Sequence, residues 1–506
     1  MTEHLDSRTR WLALVILCVG DLMIVVDTTV VNVALPSIRA SLGFSPTSLA
    51  WVVNAYMLTF GGFLLLAGRL GDLFGQRRLF LIGTAAFTAA SLVCGVSSSQ
   101  GMLIAARAVQ GLGGAIVSAV AFSLIVMLFT EPSERAKAMG VFGFVMAGGG
   151  SIGVLAGGVL TDLVGWHWIF LVNLPIGITV TVAGLRLLPS VRAGGPERRL
   201  DAPGAALITS AMVLAVYAIV NGNTAGWTSA QTLGLLAAAL IIGGGFLAWE
   251  SRVPAPLMPL GIFRHRNLSV ANAVGILWAA AMFALFFLSA LYLQLVLGYS
   301  PLQVGLAYLP GNLIMMAFSL GVSAKLVMRY GFRVPLAGGL GMAALALLWF
   351  ARAPVHGSFA VDVLPGMLLF GVGGGLAFNP VLMAAMSDVE PQDSGLASGI
   401  TNTAFMMGGA LGLAVLASAA AARTHHLAAR GFTAAAALTG GYHLAFAIGA
   451  VFALAAAGIG SSLLRSSSVP AGAAGGDHAR APGGDHAGAP AGDHAGAPGE
   501  AALEAA

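Results

Sequence analysis

Asp21 and Asp27 stand in a long apolar stretch that continues through VVDTTVVNVALP, and Arg107 stands in another, AARAVQGLGG. An ionised side chain surrounded by hydrocarbon costs several kcal/mol unless it is paired or hydrated, so charge in such a segment is a functional candidate by default. Six residues at 3.6 per turn separate the two carboxyls by about 120° and roughly 9 Å of rise. Both could border one wide cavity, yet they cannot share a proton directly. A carboxyl in these surroundings can load and release a proton as it alternates between pairing and hydration, which makes Asp27 the candidate proton-coupling group and Arg107 its expected partner. A purely structural role, hydrogen-bonding one helix to another, is the competing reading for Asp27 and more so for Asp21. For Arg107 the competing reading is a side chain that reaches out to the membrane surface.

Two further patterns concern movement. The segment GRLGDLFGQRR combines Gly68, Asp72, Gly75, Arg77 and Arg78, a spacing suited to a tight turn in which Asp72 can face the positive N-terminus of a neighbouring helix. It has a degraded echo in AKLVMRYGFRV, from Ala324 to Val334. Equivalent segments in two halves of a chain imply a duplicated unit, and secondary transporters are commonly built from such repeats with the binding site between them. Gly148, Gly149, Gly150, Gly153, Gly157 and Gly158 form a second pattern, a run of small residues that lets one helix backbone touch another.

The elements that must carry these residues are membrane helices. Of 506 residues only 9% are charged and 58% are hydrophobic, with a mean hydropathy of +0.89. Soluble globular chains carry about 25% charged residues, so a soluble protein is excluded. Apolar windows fall near 12–34, 49–68, 79–97, 101–128, 138–159, 167–188, 204–222, 231–249, 269–297, 303–328, 335–352, 363–385, 399–421 and 441–464, which predicts fourteen spans. Basic residues crowd the breaks on one side, among them Arg10, Arg77, Arg78, Arg135, Lys137, Arg198, Arg264 and Lys325, whereas the other side holds only Arg39, Arg352, Arg423 and Arg430. The positive-inside rule then places both termini in the cytoplasm.

The expected organisation is a cytoplasmic N-terminus (1–11), a six-span bundle (12–188), cytoplasmic linkers with two inserted spans (189–268), a second six-span bundle (269–464) and a tail (465–506). The segment 250–268 could lie as an interfacial helix. The tail repeats GGDHARAP, GGDHAGAP and AGDHAGAP, too rich in Gly and Pro for a core, and it is expected to be disordered with no transport role. His478, His486 and His494 in it could at most hold a divalent metal loosely. Cys18 and Cys94 lie in apolar runs and build neither a disulfide framework nor a metal site, and the basic residues form no nucleic-acid-binding stripe.

The motifs carry a resemblance that runs from about residue 11 to 464. GRLGDLFGQRR resembles the G-x-x-x-D-x-x-G-x-R-[RK] loop signature of the major facilitator superfamily, and AARAVQGLGG is similar to its R-x-x-Q-G signature. DTTVVNVALP resembles the first-span signature of the fourteen-span drug:proton antiporter branch, of EmrB/QacA type. WHWIFLVNLP from Trp166 to Pro175, Tyr292 to Gln294, Gly298 to Pro301, and Gly395 to Gly399 with Asn402 also match that branch. The glycine run looks like the antiporter signature G-x-x-x-G-P-x-x-G-G, with Gly149, Gly153, Gly157 and Gly158 in register but Val154 where the kinking proline would stand. His167 replaces a usual arginine, and Phe405 and Met406 stand where the branch often has Arg-Gln, which points to a more apolar pocket.

The resemblance implies a major facilitator fold of two six-helix bundles plus two extra spans. It further implies a conformational gate at Asp72 and Arg77, a proton-coupling role for Arg107, and a substrate cavity near Asp21, Asn32, Gln110, Gln294 and Asn402. The expected function is a monomeric exporter in a bacterial cytoplasmic membrane, moving small amphipathic drug-like compounds against protons, with the proton gradient in place of any cofactor. A lipid or glycolipid flippase on the same fold is the alternative. An enzyme is not expected, since His425 and His426 are the only close histidine pair and no carboxylate is near them in sequence, and the absence of GxxxxGK[ST] argues against a nucleotide-driven pump.

Overall fold

The computed structural model describes residues 6–45, 47–129, 131–189, 201–254, 256–389 and 394–465. No strand occurs among them. That is what a chain without polar surface must do in lipid, where a helix satisfies its own backbone groups. The first set of helices is α1 (Ser7–Leu42), α2 (Trp51–Phe74), α3 (Gln76–Gly95), α4 (Gln100–Leu128), α5 (Pro132–Leu163), the one-turn α6 (Trp168–Leu171) and α7 (Asn173–Leu187). Two helices follow, α8 (Ala202–Ala225) and α9 (Ala230–Glu250). The last set is α10 (Arg266–Leu295), α11 (Pro301–Ala317), α12 (Ala324–Tyr330), α13 (Arg333–Phe350), α14 (Leu364–Met386), α15 (Ser394–Ala429) and α16 (Ala434–Leu463).

Among the described residues, 12 helices are long and apolar enough to cross a membrane. The helices α2 and α5, of 24 and 32 residues, occupy two more of the expected windows. Helices outrun their apolar windows because backbone hydrogen bonding continues until a cap stops it. Thus α1 starts where the Asp6 carboxylate accepts from the Thr9 amide at 3.1 Å and ends at Gly43, whose φ of 70° lies in the left-handed region. Ser300 and Gln303 close a reciprocal capping box at the start of α11, with Pro301 in its first turn. Six residues of π-helix, Phe318–Ser323, separate α11 from α12 within one apolar window, a break that hydropathy does not register.

The packing is duplicated. In the first set α2 lies on α4, α3 on α4, α1 on α5 and α3 on α7; in the last set α11 lies on α14, α13 on α14, α10 on α15 and α13 on α16. The joints between sets mirror each other too, α5 against α11 and α2 against α15, while α8 leans on α2 and α15. Contacts near the end opposite the chain termini are close. The Gln294 amide donates to the Val33 carbonyl at 2.7 Å, and a Cβ on Gly305 would lie 3.0 Å from the Val154 carbonyl oxygen. At the terminus-bearing end, the polar ties among the described residues run within a set. Arg10 pairs with Glu134 at 2.9 Å, while Asn267 donates to Asp388 at 3.0 Å and accepts from the Arg465 amide at 2.8 Å.

Two expectations are corrected. The segment 250–268 forms no interfacial helix, because its prolines interrupt it: only a short 3-10 turn, Leu260–Arg264, precedes α10. The connection after α9 is held by Asp201 instead. The Asp201 carboxylate accepts from the Gly204 amide at 2.9 Å, the Trp249 indole at 2.7 Å and the Leu257 amide at 3.3 Å. Burial alone would raise its pKa, but hydrogen bonds from Glu250, Trp249, Gly204 and Leu257 outweigh that and hold it below the usual carboxylate value. The second correction concerns GRLGDLFGQRR, which is helix on both sides of a single turn residue. Gly68 and Asp72 lie in α2, Arg77 and Arg78 already lie in α3, and only Gly75, at φ 91°, makes the turn. The linker 190–200 and the repeat tail from 466 lie outside the described residues.

Candidate functional site

The first set of helices encloses the ion pair that the sequence pointed to. Arg107 on α4 donates from Nη1 to the Asp27 carboxylate on α1 at 2.5 Å and to the Gln110 amide oxygen at 2.7 Å, and from Nε to the Val52 carbonyl on α2 at 3.0 Å. Asp27 is 0% exposed and Arg107 1%, so the pair is fully removed from solvent. The other Asp27 oxygen accepts from Gln110 Nε2 at 2.7 Å and from Asn173 Nδ2, at the start of α7, at 2.9 Å. Gln110 Nε2 also donates to the Ser91 hydroxyl on α3 at 2.7 Å, and the Cys94 thiol points at the Gln110 oxygen at 3.6 Å. Two rings complete the enclosure: Tyr56 and Phe170 lie with centroids 4.4 and 5.6 Å from the Arg107 guanidinium carbon.

Desolvating two charges is expensive, and their attraction repays it only when the remaining donors and acceptors are satisfied. Here three side chains donate to one carboxylate, so the ionised form of Asp27 is the one this arrangement fits. Protonating it would remove the attraction that holds Arg107. The pair therefore ties α1 to α4. The opposite face of α1 is the glycine seam. A Cβ on Gly149 would lie 2.9 Å from Val25 Cγ1, one on Gly157 would lie 2.7 Å from the Val30 carbonyl oxygen, and Gly153 presses on Thr29. Gly158 faces the other way, where its Cβ would meet the Pro301 carbonyl at 2.8 Å at the start of α11. With Val154 in place of proline, α5 runs unbroken through this seam.

The remaining expected site residues are distributed. Asp21 is 1% exposed and accepts a hydrogen bond from the Ser118 hydroxyl on α4, so it is enclosed within the first set rather than bordering an open cavity. The Asn32 amide donates back to the Thr28 carbonyl at 3.3 Å, and Gln294 ties the two sets at Val33. Gln110 belongs to the ion-pair network. Asn402, at the start of α15, is exposed and donates to the Ser398 carbonyl at 3.2 Å. At the expected gate, Arg77 donates to the Leu185 carbonyl of α7 and Arg78 is exposed. The side chain of Asp72 lies outside the described residues.

Sequence reasoning missed Ser91, Cys94, Asn173 and Tyr56 as neighbours of the pair. Asn173 stood inside WHWIFLVNLP, and an amide in the first turn of a membrane helix was the available signal. Among the described residues no group of three or more His, Cys, Asp or Glu side chains could hold a metal ion.

The sequence pattern of the Major Facilitator Superfamily matches residues 17–413. The chain is 39% identical over 452 residues to the puromycin resistance protein pur8 of Streptomyces alboniger, covering 88% of this chain and 89% of that one. It is 39% identical over 412 residues to the cephamycin export protein CmcT of Amycolatopsis lactamdurans, covering 81% and 85% of the two chains. Among solved structures, the POT family transporter PepTSo superposes with a TM-score of 0.66 at 16% identity, over 90% of this chain and 97% of that one.

Proposed function

The chain belongs to the Major Facilitator Superfamily, and from that membership we propose that it exports small amphipathic, drug- or antibiotic-like compounds from a bacterial cell by proton antiport with alternating access. The observation that carries this reading is the sealed Asp27–Arg107 pair, the one fully buried ion pair among the described residues, where a proton and a helix-helix contact compete for the same carboxylate. The relatives' printed names support export of antibiotics.

In this reading the chain crosses the membrane fourteen times, acts as a monomer and keeps both termini in the cytoplasm. The tight seams then lie at the outer end and the described conformation opens to the cytoplasm. Substrate enters between the two sets while Asp27 is ionised and held by Arg107, Gln110 and Asn173. Outward opening separates α5 from α11 and α2 from α15, protonation of Asp27 from outside frees Arg107, and release of that proton to the cytoplasm after the return restores the pair. Asp72 and Arg77, on either side of the Gly75 turn, bias the choice between the two faces.

The test is efflux in vesicles of defined orientation. An imposed pH gradient should drive uphill movement of puromycin or another member of a panel of cationic, neutral and zwitterionic drugs, and collapse of the gradient should stop it. Absence of gradient-driven movement for the whole panel would overturn the reading.

A further inference from the structure

Three phenyl rings from three helices of the last set meet next to the joint between sets. Phe405 on α15 stands edge-on to Phe283 of α10 and to Phe378 of α14, with ring centroids 6.0 Å apart in both cases. The cluster continues to the first set through thioethers. A Cβ on Gly61 of α2 would lie 3.0 Å from Met406 Cβ and 3.4 Å from Met407 Cγ, while Met57 and Phe283 both adjoin Gly409. Phe378 is 42% exposed. Its stripe on α14 also holds Gly371 and Gly374, one pressed on Gly311 of α11 and the other with a Cβ 3.6 Å from the Trp278 ring of α10. A side chain on that stripe points between helices, so the open face of Phe378 looks into the molecule and not toward lipid.

The polar groups beside the rings are neutral. The exposed Asn402 amide stands one turn before Phe405, on the same side of α15, and donates to the Ser398 carbonyl. No Asp or Glu occurs in α10, α11, α14 or α15. The two acids of α1 are committed elsewhere, Asp27 to Arg107, Gln110 and Asn173 and Asp21 to Ser118, each at most 1% exposed. A cation on these rings would gain cation–π attraction. It would still lose its hydration with no carboxylate in return, a balance that disfavours it. A flat uncharged ring system gains offset and edge contacts with the phenyls and sulfur contacts with the methionines, and one hydroxyl or carbonyl on it can pair with the exposed Asn402 amide.

We propose that the rings of Phe283, Phe378 and Phe405, with the Asn402 amide beside them, select uncharged planar polycyclic aromatic compounds that carry a hydroxyl or carbonyl group, and discriminate against cations of the same shape. This rests on the exporter reading and specifies its substrate class.

Two fluorescent probes of similar shape separate charge from planarity: 1-pyrenemethanol, which is neutral, and ethidium, a fixed cation. With the purified full chain, 1-pyrenemethanol should bind at least ten-fold more tightly than ethidium and should be the probe that energised vesicles accumulate. Phe405→Leu should weaken 1-pyrenemethanol about ten-fold, and Phe405→Tyr should restore it to within about two-fold, with thermal midpoint and elution volume checking the fold. Asn402→Leu should reduce binding of 1-pyrenemethanol but not of pyrene. Equal or tighter binding of ethidium, or a Phe405→Leu variant with unchanged affinity, would overturn the proposal and leave the exporter reading standing. Binding of neither probe overturns it as well, and the exporter reading then falls only if the wider drug panel also shows no efflux.

Discussion

Replacing Asp27 with Asn changes two things at once. It removes the titratable proton, and it leaves the Arg107 guanidinium buried opposite a neutral amide. Removing one partner of a buried pair typically costs about 3–5 kcal/mol, so this variant should lose both uphill transport and thermal stability. Arg107→Gln in the same chain should recover a good part of the stability while transport stays lost, and a double-mutant cycle on thermal midpoints measures the difference. Recovery of gradient-driven efflux in the double variant would move the coupling site elsewhere. Asp21→Asn should behave differently, because an amide oxygen can still accept from Ser118. Efflux within about two-fold of the parent and a stability change of about 1 kcal/mol are expected. The contrast between the two acids was partly legible, since the sequence singled out Asp27 with Arg107 and weighed a structural role more for Asp21, but it could not name Ser118 as the partner of Asp21. Arg107 was legible because no unpaired guanidinium is tolerable there. Ser91 and Asn173 were not, since single neutral polar side chains are common in membrane helices and nothing in their spacing says which neighbour they face.

At the scale of elements, the glycine run of α5 makes a graded prediction. Gly150→Ala points into open space and should leave expression and efflux unchanged. Gly157→Val would drive a branched side chain into the Val30 carbonyl, forcing α1 and α5 apart and disturbing Asp27 on the far face of α1. Efflux should fall at least ten-fold at equal protein level; parity with Gly150→Ala would show that the seam has slack. The Asp201 staple gives a pH test. Its folded-state pKa is depressed, so its contribution is present above the unfolded value of about 4 and is lost as pH falls through the folded value. Asp201→Asn should therefore lower the thermal midpoint at pH 7, and the difference from the parent should vanish as pH falls through the folded value. Most helices were legible as apolar windows. Their ends were not, because caps such as Asp6 and turn residues such as Gly75 decide where backbone hydrogen bonding stops, and the π-helical turn at 318–323 has the same hydropathy as α-helix.

At the scale of the whole molecule, the alternating access proposed for the chain would part the mirrored joints, α2 with α15 and α5 with α11. The echo of GRLGDLFGQRR at residues 324–334 foreshadowed that symmetry, because a repeated segment at equivalent places has little other origin. It could not say which end is closed, since that depends on contacts between residues far apart in sequence. Gly61 and Met406 offer a direct test, their Cβ positions being 3.0 Å apart, close to the 3.5–4.5 Å of a disulfide. The native thiols, Cys18 and Cys94, are both buried and free, so they interfere little with a cross-link. In a Gly61→Cys, Met406→Cys variant, mild oxidation should join α2 to α15 and stop net efflux, and a reducing agent should restore it. The reduced form of the same variant is the reference for this comparison, since Met406 belongs to the thioether cluster beside the rings. If the oxidised protein still exports at an undiminished rate, the joint does not open during turnover, and a cycle that parts α2 from α15 is wrong for this protein.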